Sequence, residues 1–419
     1  MKWQAVKGTH DVLPEQQAAW RQLLAAVELE LGRAGARELS TPVFEYSEVF
    51  EKSVGESADL VVQKEMYTFE DRGGRRLTLR PEFTAGVLRA FIEHGMHTLP
   101  TPVKLWSAGP LFRAENVQRG RYRQFHQVNL EIIGLSQALA DAEAIHLLYR
   151  TLRACGLTRV RMRVGSVGDP DDRAAYNAYL RRELEPLQAR LSEASRERLR
   201  LNPMRVLDSK AEQDAAVLEG LKRPIDFLGD AARSHLDQVL ECLRDWDVPF
   251  EIDPGIVRGL DYYRRTAFEA HYEGIGSQSA LGGGGRYDGL IESLGGPPLP
   301  AVGWAMGSER VLDAMEQEQA VAAPPDRPML FLVPLDEDAV SEVAALAVRL
   351  RSAHRVEHAY APRNPGKGLR DADRRGAVYA GLRGESERAG DVVQLKHLGS
   401  GEQTRVRVAE LARFLRDAS

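Results

Sequence analysis

The chain has 419 residues, a formal net charge of −5, 43% hydrophobic and 28% charged residues, so a globular protein of two or three domains is expected. The acidic balance argues against indiscriminate coating of nucleic acid but leaves room for a local basic surface. Two cysteines, Cys155 and Cys242, exclude a disulfide framework and a cysteine-built zinc site; the absence of a signal-like or bilayer-length apolar run predicts a cytoplasmic location with no membrane partner.

A first helix is predicted over residues 14–33. Pro14 suits the first helical position, Trp20, Leu23, Leu24, Val27 and Leu31 form one apolar stripe, and Gly32 and Gly35 mark the end. Extended pieces follow at 41–44 and 66–79, the second interrupted by the turn sequence Asp71-Arg72-Gly73-Gly74. A helix over 81–95 then precedes a strand pair, 103–113 and 122–133. Residues 169–230 are rich in Arg, Glu and Ala and broken by Pro170, Pro186, Pro203 and Pro224, which predicts a small helical insertion. Sheet-like sequence returns over 256–306. Residues 320–328 form a linker by composition, and alternating strand and helix patterns predict a separate α/β domain over 329–419.

Within the strand at 125–133, Phe125, Gln127, Asn129 and Glu131 share one face, while His126, Val128, Leu130 and Ile132 share the other. An ordinary half-exposed strand would have this pattern. The cations around it point further: Arg113 stands beside Glu115 at the end of the preceding strand, and the connecting loop carries Arg119, Arg121 and Arg123. Such crowding suits an anion such as a nucleotide phosphate. The segment Arg258-Gly259-Leu260-Asp261-Tyr262-Tyr263, taken alone, reads equally as a solvated strand edge. Gly282 to Gly285 predict a tight turn or a close backbone approach, without the Walker A or dinucleotide pattern. Ser308 is read as an N-cap, which puts Arg310 in the first turn of a helix. There its charge opposes the helix dipole by at most about 1 kcal/mol, and a bound anion would offset the conflict. Glu82 and Thr84 lie at a strand-to-helix junction, where Glu82 also suits simple capping.

Taken in order, these segments resemble the class II aminoacyl-tRNA synthetases, and among them the histidine–tRNA ligases. Pro42 with Val43-Phe44-Glu45 is similar to the class's first motif, which implies a homodimer. FRAE at 112–115 and RYRQFHQ at 121–127 are similar to the second motif, and residues 303–310 to the third. RGLDYY at 258–263 and GGGGRYDGL at 282–290 are similar to stretches peculiar to the histidine enzymes, and the likeness spans nearly the whole chain.

The resemblance implies an α+β catalytic domain with a mainly antiparallel sheet over 1–168 and 231–319, the helical insertion at 169–230, and an anticodon-binding α/β domain over 329–419. It implies ATP with Mg2+, L-histidine and tRNA(His) as reaction partners: formation of histidyl-adenylate with release of diphosphate, then transfer to the tRNA 3′ end. By the same resemblance Arg113 and Arg258 are catalytic, and Arg113, Glu115 and Arg310 bind ATP. Glu82, Thr84 and Gln127 meet the histidine ammonium, and Glu131 with Tyr262 and Tyr263 meet the ring. Gly282, Gly283 and Gly284 wall the pocket, and no dedicated protein-only metal site is implied.

At one position the chain departs from the family. Phe83 stands where glycine is usual, so its side chain must point away from the ligand if Glu82 and Thr84 are to keep their roles. A rival implication is a non-catalytic regulatory subunit of ATP phosphoribosyltransferase, which lacks the C-terminal domain. Arg258, the intact RYRQFHQ stretch and the domain beyond Pro328 count against it. A general RNA-binding protein would account for the basic residues between Arg349 and Arg375 but leaves the arginine constellation unexplained.

Overall fold

The computed structural model describes residues 3–54, 65–118, 120–209, 211–256, 262–273, 279–321 and 327–418. Arg119, Arg258 and Asp261 lie outside the described residues, as does most of the expected linker. The chain divides into two compact units, Met1–Ala322 and Ala323–Ser419. Among the described residues no helix is long and apolar enough to cross a membrane.

The first unit is built on an eight-stranded sheet whose strands are numbered in chain order. They are β1 (Arg37–Glu38), β5 (Val103–Phe112), β6 (Gln124–Ile133), β7 (Val160–Ser166), β8 (Phe250–Ile252), β9 (Arg264–Tyr272), β10 (Ala280–Arg286) and β11 (Ala301–Gly307). Their spatial order is β1-β5-β6-β11-β10-β9-β7-β8. The six central strands pair antiparallel, and only the two edge strands pair parallel. A smaller sheet of β2 (Phe44–Tyr46), β4 (Arg76–Leu79) and β3 (Thr68–Glu70) lies beside it, with the Asp71 carboxylate accepting from the Gly73 and Arg75 N–H groups to close the β3–β4 turn.

Alternation along β6 decides which face carries chemistry. Val128, Leu130 and Ile132 are fully buried with Leu23, Val27 and Leu31 of the Gln17–Arg33 helix and with the helices Ala138–Ala154 and Asp230–Asp245. Each such side chain contributes roughly 1.5–3 kcal/mol by leaving water. The opposite face packs partly against the Thr84–Glu93 helix through Phe83, Val87, Leu88 and Phe91. The first helix begins three residues later than Pro14, because the Gln16 and Gln17 N–H groups close turns onto Leu13 and Pro14. Similarly, Gly307 is the N-cap of the Ser308–Gln317 helix; Ser308 is its first residue and is buried, so the capping role expected of it is not seen.

Between β7 and β8, residues 170–227 fold into short helices around their own apolar cluster, which includes Tyr176, Leu180, Leu184, Leu191 and Leu199. Asp169 caps the first of these helices and also bonds Arg264 and Arg265, tying the insertion to the start of β9.

The second unit is a five-stranded sheet of order β13-β12-β14-β15-β16: Val356–His358, Leu330–Pro334, Tyr379–Arg383, Val392–His397 and Gln403–Arg407. The first three are parallel, connected by the helices Glu337–Leu350 and Pro365–Arg374, and the last two run antiparallel. Both helices have side-chain N-caps: Asp336 accepts from the Ala339 N–H and Asn364 from the Lys367 N–H. Apolar clusters on both sheet faces complete the α/β unit that the alternating pattern predicts.

Candidate active site

The polar face of β6 forms the floor of the site, because all its neighbours in the sheet except Leu105 are small. Gln127 lies between Gly109 and Gly307, Asn129 between Ser107 and Ala305, and Glu131 between Leu105 and Gly303. Gly303 is required sterically. A Cβ there would lie 2.0 Å from Glu131 Oε2 and 2.5 Å from the Leu130 carbonyl oxygen.

Glu131 is 1% exposed, and three donors converge on it. The Thr84 hydroxyl donates to Oε1 at 2.7 Å, the Asn129 amide donates to Oε1 at 2.8 Å, and the Tyr287 hydroxyl donates to Oε2. Burial pushes the Glu131 carboxyl up to about 7 although these donors oppose it, and the nearby Glu82 charge adds to the rise. The sequence pattern gives Tyr287 and Asn129 no role. GRYDG contains a tyrosine, but nothing local says that it reaches a residue 156 positions away.

Glu82 sits at the start of the Thr84–Glu93 helix, where its two oxygens accept from the Thr84 N–H at 2.5 Å and the Ala85 N–H at 2.8 Å. Burial raises its pKa, while those donors and the Arg113 charge hold it down. Phe83 does not intrude on this arrangement. Its ring is buried in the apolar cluster with Val87, Leu88, Phe91 and Leu111, with the Arg80 guanidinium 4.5 Å from its centroid. Arg80 is in turn held by the carbonyl oxygens of Thr41 and Pro110. Tyr262 lies 4.7 Å from Tyr263 and 5.8 Å from Tyr287, centroid to centroid. Burial and the neighbouring Tyr263, Glu82 and Glu131 groups keep the Tyr262 hydroxyl neutral.

Cations flank this carboxylate cluster. Arg113 donates from Nε to the Pro81 carbonyl at 3.0 Å, and its guanidinium lies 5.2 Å from the Phe125 centroid. Arg310 donates to the carbonyl oxygens of Gly120 at 3.3 Å and Ala280 at 2.9 Å. Burial lowers the Arg310 pKa, and the Arg121 and Arg113 charges push it further down, opposed by Glu115 and Glu269. Arg121 and Glu115 form an ion pair at 3.4 Å. The Arg113 charge thus acts on both Glu82 and Arg310, lowering the pKa of each. Glu309, to which the sequence pattern gives no role, accepts from the His126 N–H at 2.9 Å and anchors the start of the Arg310 helix against β6.

The four glycines do not form a turn. They lie within β10, and the strand's register divides them between the two faces. Gly283 and Gly285 pair with Ala305 and Gly303 on the site face. Gly282 and Gly284 pair with Met306 and Trp304 on the helix-covered face, so those two do not offer the pocket wall expected of them. A Cβ at Gly284 would lie 1.9 Å from the Gly303 carbonyl oxygen, and one at Gly285 would lie 2.8 Å from the Tyr263 ring. The close approach is thus to neighbouring strands and to Tyr263. On the helix-covered face the next residue, Arg286, is fully buried and paired with Asp141 at 2.8 Å. Asp141 also accepts from Thr266 at 2.9 Å and contacts His235.

A family model described as histidyl-tRNA synthetase matches residues 8–311, and one described as anticodon binding domain matches residues 330–418. The chain is 54% identical to a histidine–tRNA ligase of Thermus thermophilus, with both sequences covered in full. It is 50% identical to the histidine–tRNA ligase of Deinococcus radiodurans, over 99% of this chain and 100% of that one. Among solved structures, apo histidyl-tRNA synthetase from S. aureus superimposes with a TM-score of 0.83 at 32% identity, covering 99% of this chain and 100% of that one.

Proposed function

The chain belongs to the histidyl-tRNA synthetase family, and on that premise we propose a division of labour among its site residues. Its activity is histidine–tRNA ligation. Histidine and ATP form histidyl-adenylate and diphosphate, and the histidyl group then passes to the 3′ end of tRNA with release of AMP. The regulatory-subunit reading is set aside, because the full-length relatives are ligases and the anticodon-binding match covers the C-terminal unit.

The observation that carries the assignment is the placement of Arg113: its Nε bonds the Pro81 carbonyl next to Glu82, and its N–H bonds the Arg123 carbonyl of the loop that carries Arg121. Adenylate formation brings a carboxylate and a phosphate together, and a cation at that junction stabilises the charge that develops on phosphorus. Arg113 serves the α-phosphate, Arg310 and Glu115 serve the rest of ATP, and Arg258 is the second catalytic cation by family likeness. Glu82, Gln127 and the oxygen of Thr84 receive the histidine ammonium; Thr84 donates its proton to Glu131 and so keeps lone pairs to accept with. Glu131 accepts from one ring nitrogen and Tyr263 meets the other, with Tyr262 packed behind. Gly283 and Gly285 wall the pocket.

Magnesium fits as a hard cation on phosphate oxygens; Glu269, paired with Gly283 on the site face of the sheet, and Glu115, beside Arg121, would be the carboxylates to hold it. It would supply charge neutralisation to the leaving diphosphate. Residues 1–168 and 231–319 act as the catalytic domain, 169–230 as the insertion, 320–328 as the linker and 329–419 as the tRNA anticodon reader. The exposed Val43, Phe44, Tyr46 and Phe69 form an apolar surface suited to a homodimer contact.

Histidine-dependent exchange of labelled diphosphate into ATP tests the scheme. The wild-type chain is expected to exchange readily. Arg113→Ala and Arg258→Ala should each slow exchange far more than they weaken histidine binding, and equal losses in both quantities would refute the phosphate roles.

A further inference from the structure

Residues 3–13 precede the first helix, are mostly exposed and belong to none of the apolar clusters. They are nonetheless bonded to the loop between β5 and β6. The Gly8 carbonyl accepts the N–H groups of Arg123 at 2.8 Å and Gln124 at 3.2 Å, at the point where β6 begins. A turn closed by the Thr9 N–H and hydroxyl on the Val6 carbonyl leads into this contact, and the His10 ring lies 4.9 Å from the Tyr122 ring.

Gly8 is required there on two independent grounds. Its φ of +89° lies in the left-handed region. A Cβ would also approach Arg123 Cγ and Val117 Cγ2 to 2.8 Å each.

The loop is gripped from its other side as well. Arg310 donates to the Gly120 carbonyl, and the Arg113 N–H bonds the Arg123 carbonyl at 2.9 Å. This loop holds Arg121 near Arg113 and Arg310, like charges that repel until an anion joins them.

We propose that residues 6–10 are a positioning strap for the ATP-binding loop: the Gly8 carbonyl and the His10 ring hold Arg113 and Arg121 in their phosphate-binding positions before ATP arrives. Preorganisation of this kind removes an ordering cost from binding. The inference rests on the reading of Arg113 and Arg310 as ATP ligands. Gly8 and His10 touch no substrate.

The test uses full-length protein carrying Gly8→Ala, a deletion of residues 2–9, His10→Ala or His10→Phe, with KM for ATP and for histidine measured in the exchange reaction and Tm by calorimetry. Gly8→Ala and the deletion should raise the ATP KM about tenfold, near the upper end of what one net hydrogen bond supplies. The histidine KM should stay within about twofold. His10→Ala should raise the ATP KM about threefold, and His10→Phe, which keeps a ring against Tyr122, should restore it. An unchanged ATP KM in both strap variants, or equal losses for both substrates with a lowered Tm, overturns the proposal. An Arg113→Ala control separates the two readings. If it too leaves ATP binding intact, the loop is not the ATP site and the strap falls with it; if it weakens ATP while the strap variants are silent, only the strap is overturned.

Discussion

Replacing Glu131 with glutamine sets recognition against stability at the centre of the site. Glu131 is 1% exposed, and burial raises its carboxyl from 4.5 in free solution to about 7. A folded-state value above the unfolded one means that the folded protein binds the proton more tightly. The carboxylate therefore costs no stability below about pH 4.5, costs progressively more as pH rises, and reaches its full cost above about pH 7. The gap between 4.5 and about 7 corresponds to roughly 3 kcal/mol as an upper bound.

Glutamine removes the charge and keeps the contacts: its oxygen accepts from Thr84 and Asn129, and its NH2 donates to the Tyr287 hydroxyl, which also accepts. Glu131→Gln should thus unfold above the wild type at pH 8, by roughly 2 °C per kcal/mol in a domain of this size, and at the same temperature near pH 4.5. Calorimetry of the substrate-free proteins between pH 4.5 and 8.5 measures this. The same variant should bind histidine at least about tenfold more weakly, the factor of one charge-assisted hydrogen bond, with ATP affinity unchanged. A Tm difference that does not vary with pH, or a variant less stable than wild type at pH 8, would refute the reasoning.

Three other outcomes follow from the geometry. Gly303→Ala should abolish measurable histidine binding, because its Cβ would lie 2.0 Å from Glu131 Oε2; titration calorimetry giving wild-type affinity would contradict the proposed site. Asp141→Ala leaves Arg286 buried without its main counter-charge and should lower stability by about 3–5 kcal/mol in chemical denaturation; a loss under 1 kcal/mol would mean that water or Asp288 compensates. Removing residues 329–419 should spare diphosphate exchange and sharply reduce tRNA charging, and unchanged charging in an aminoacylation assay would contradict the domain role.

Much of this was legible in the amino-acid order because it is local. Alternation along 125–133 already separated Val128, Leu130 and Ile132 from Gln127, Asn129 and Glu131, since side chains in any strand point to opposite faces. The apolar stripe of the first helix and the strand–helix alternation of the second unit are likewise short-range patterns: the alternation is kept, and of the stripe Leu23, Val27 and Leu31 are buried, whereas Leu24 is exposed because it lies beyond the face turned to the sheet. The motifs at 112–127, 258–263 and 303–310 were enough to name the family.

What the tertiary structure decided is who stands beside whom. Pairing of β11 with β6 placed Gly303 against Glu131, and pairing of β10 with β11 decided which two of the four glycines face the site; no local pattern specifies the register between β6 and β11, which lie far apart in the chain. Tyr287 reached Glu131 only through that pairing. The Phe83 ring turns into the cluster around Phe91 and Leu111, drawn from several elements, a placement that no local pattern specifies. Periodicity is a property of a few consecutive residues. Cross-strand neighbours, buried charge and the carboxyl raised to about 7 exist only once long-range packing excludes water.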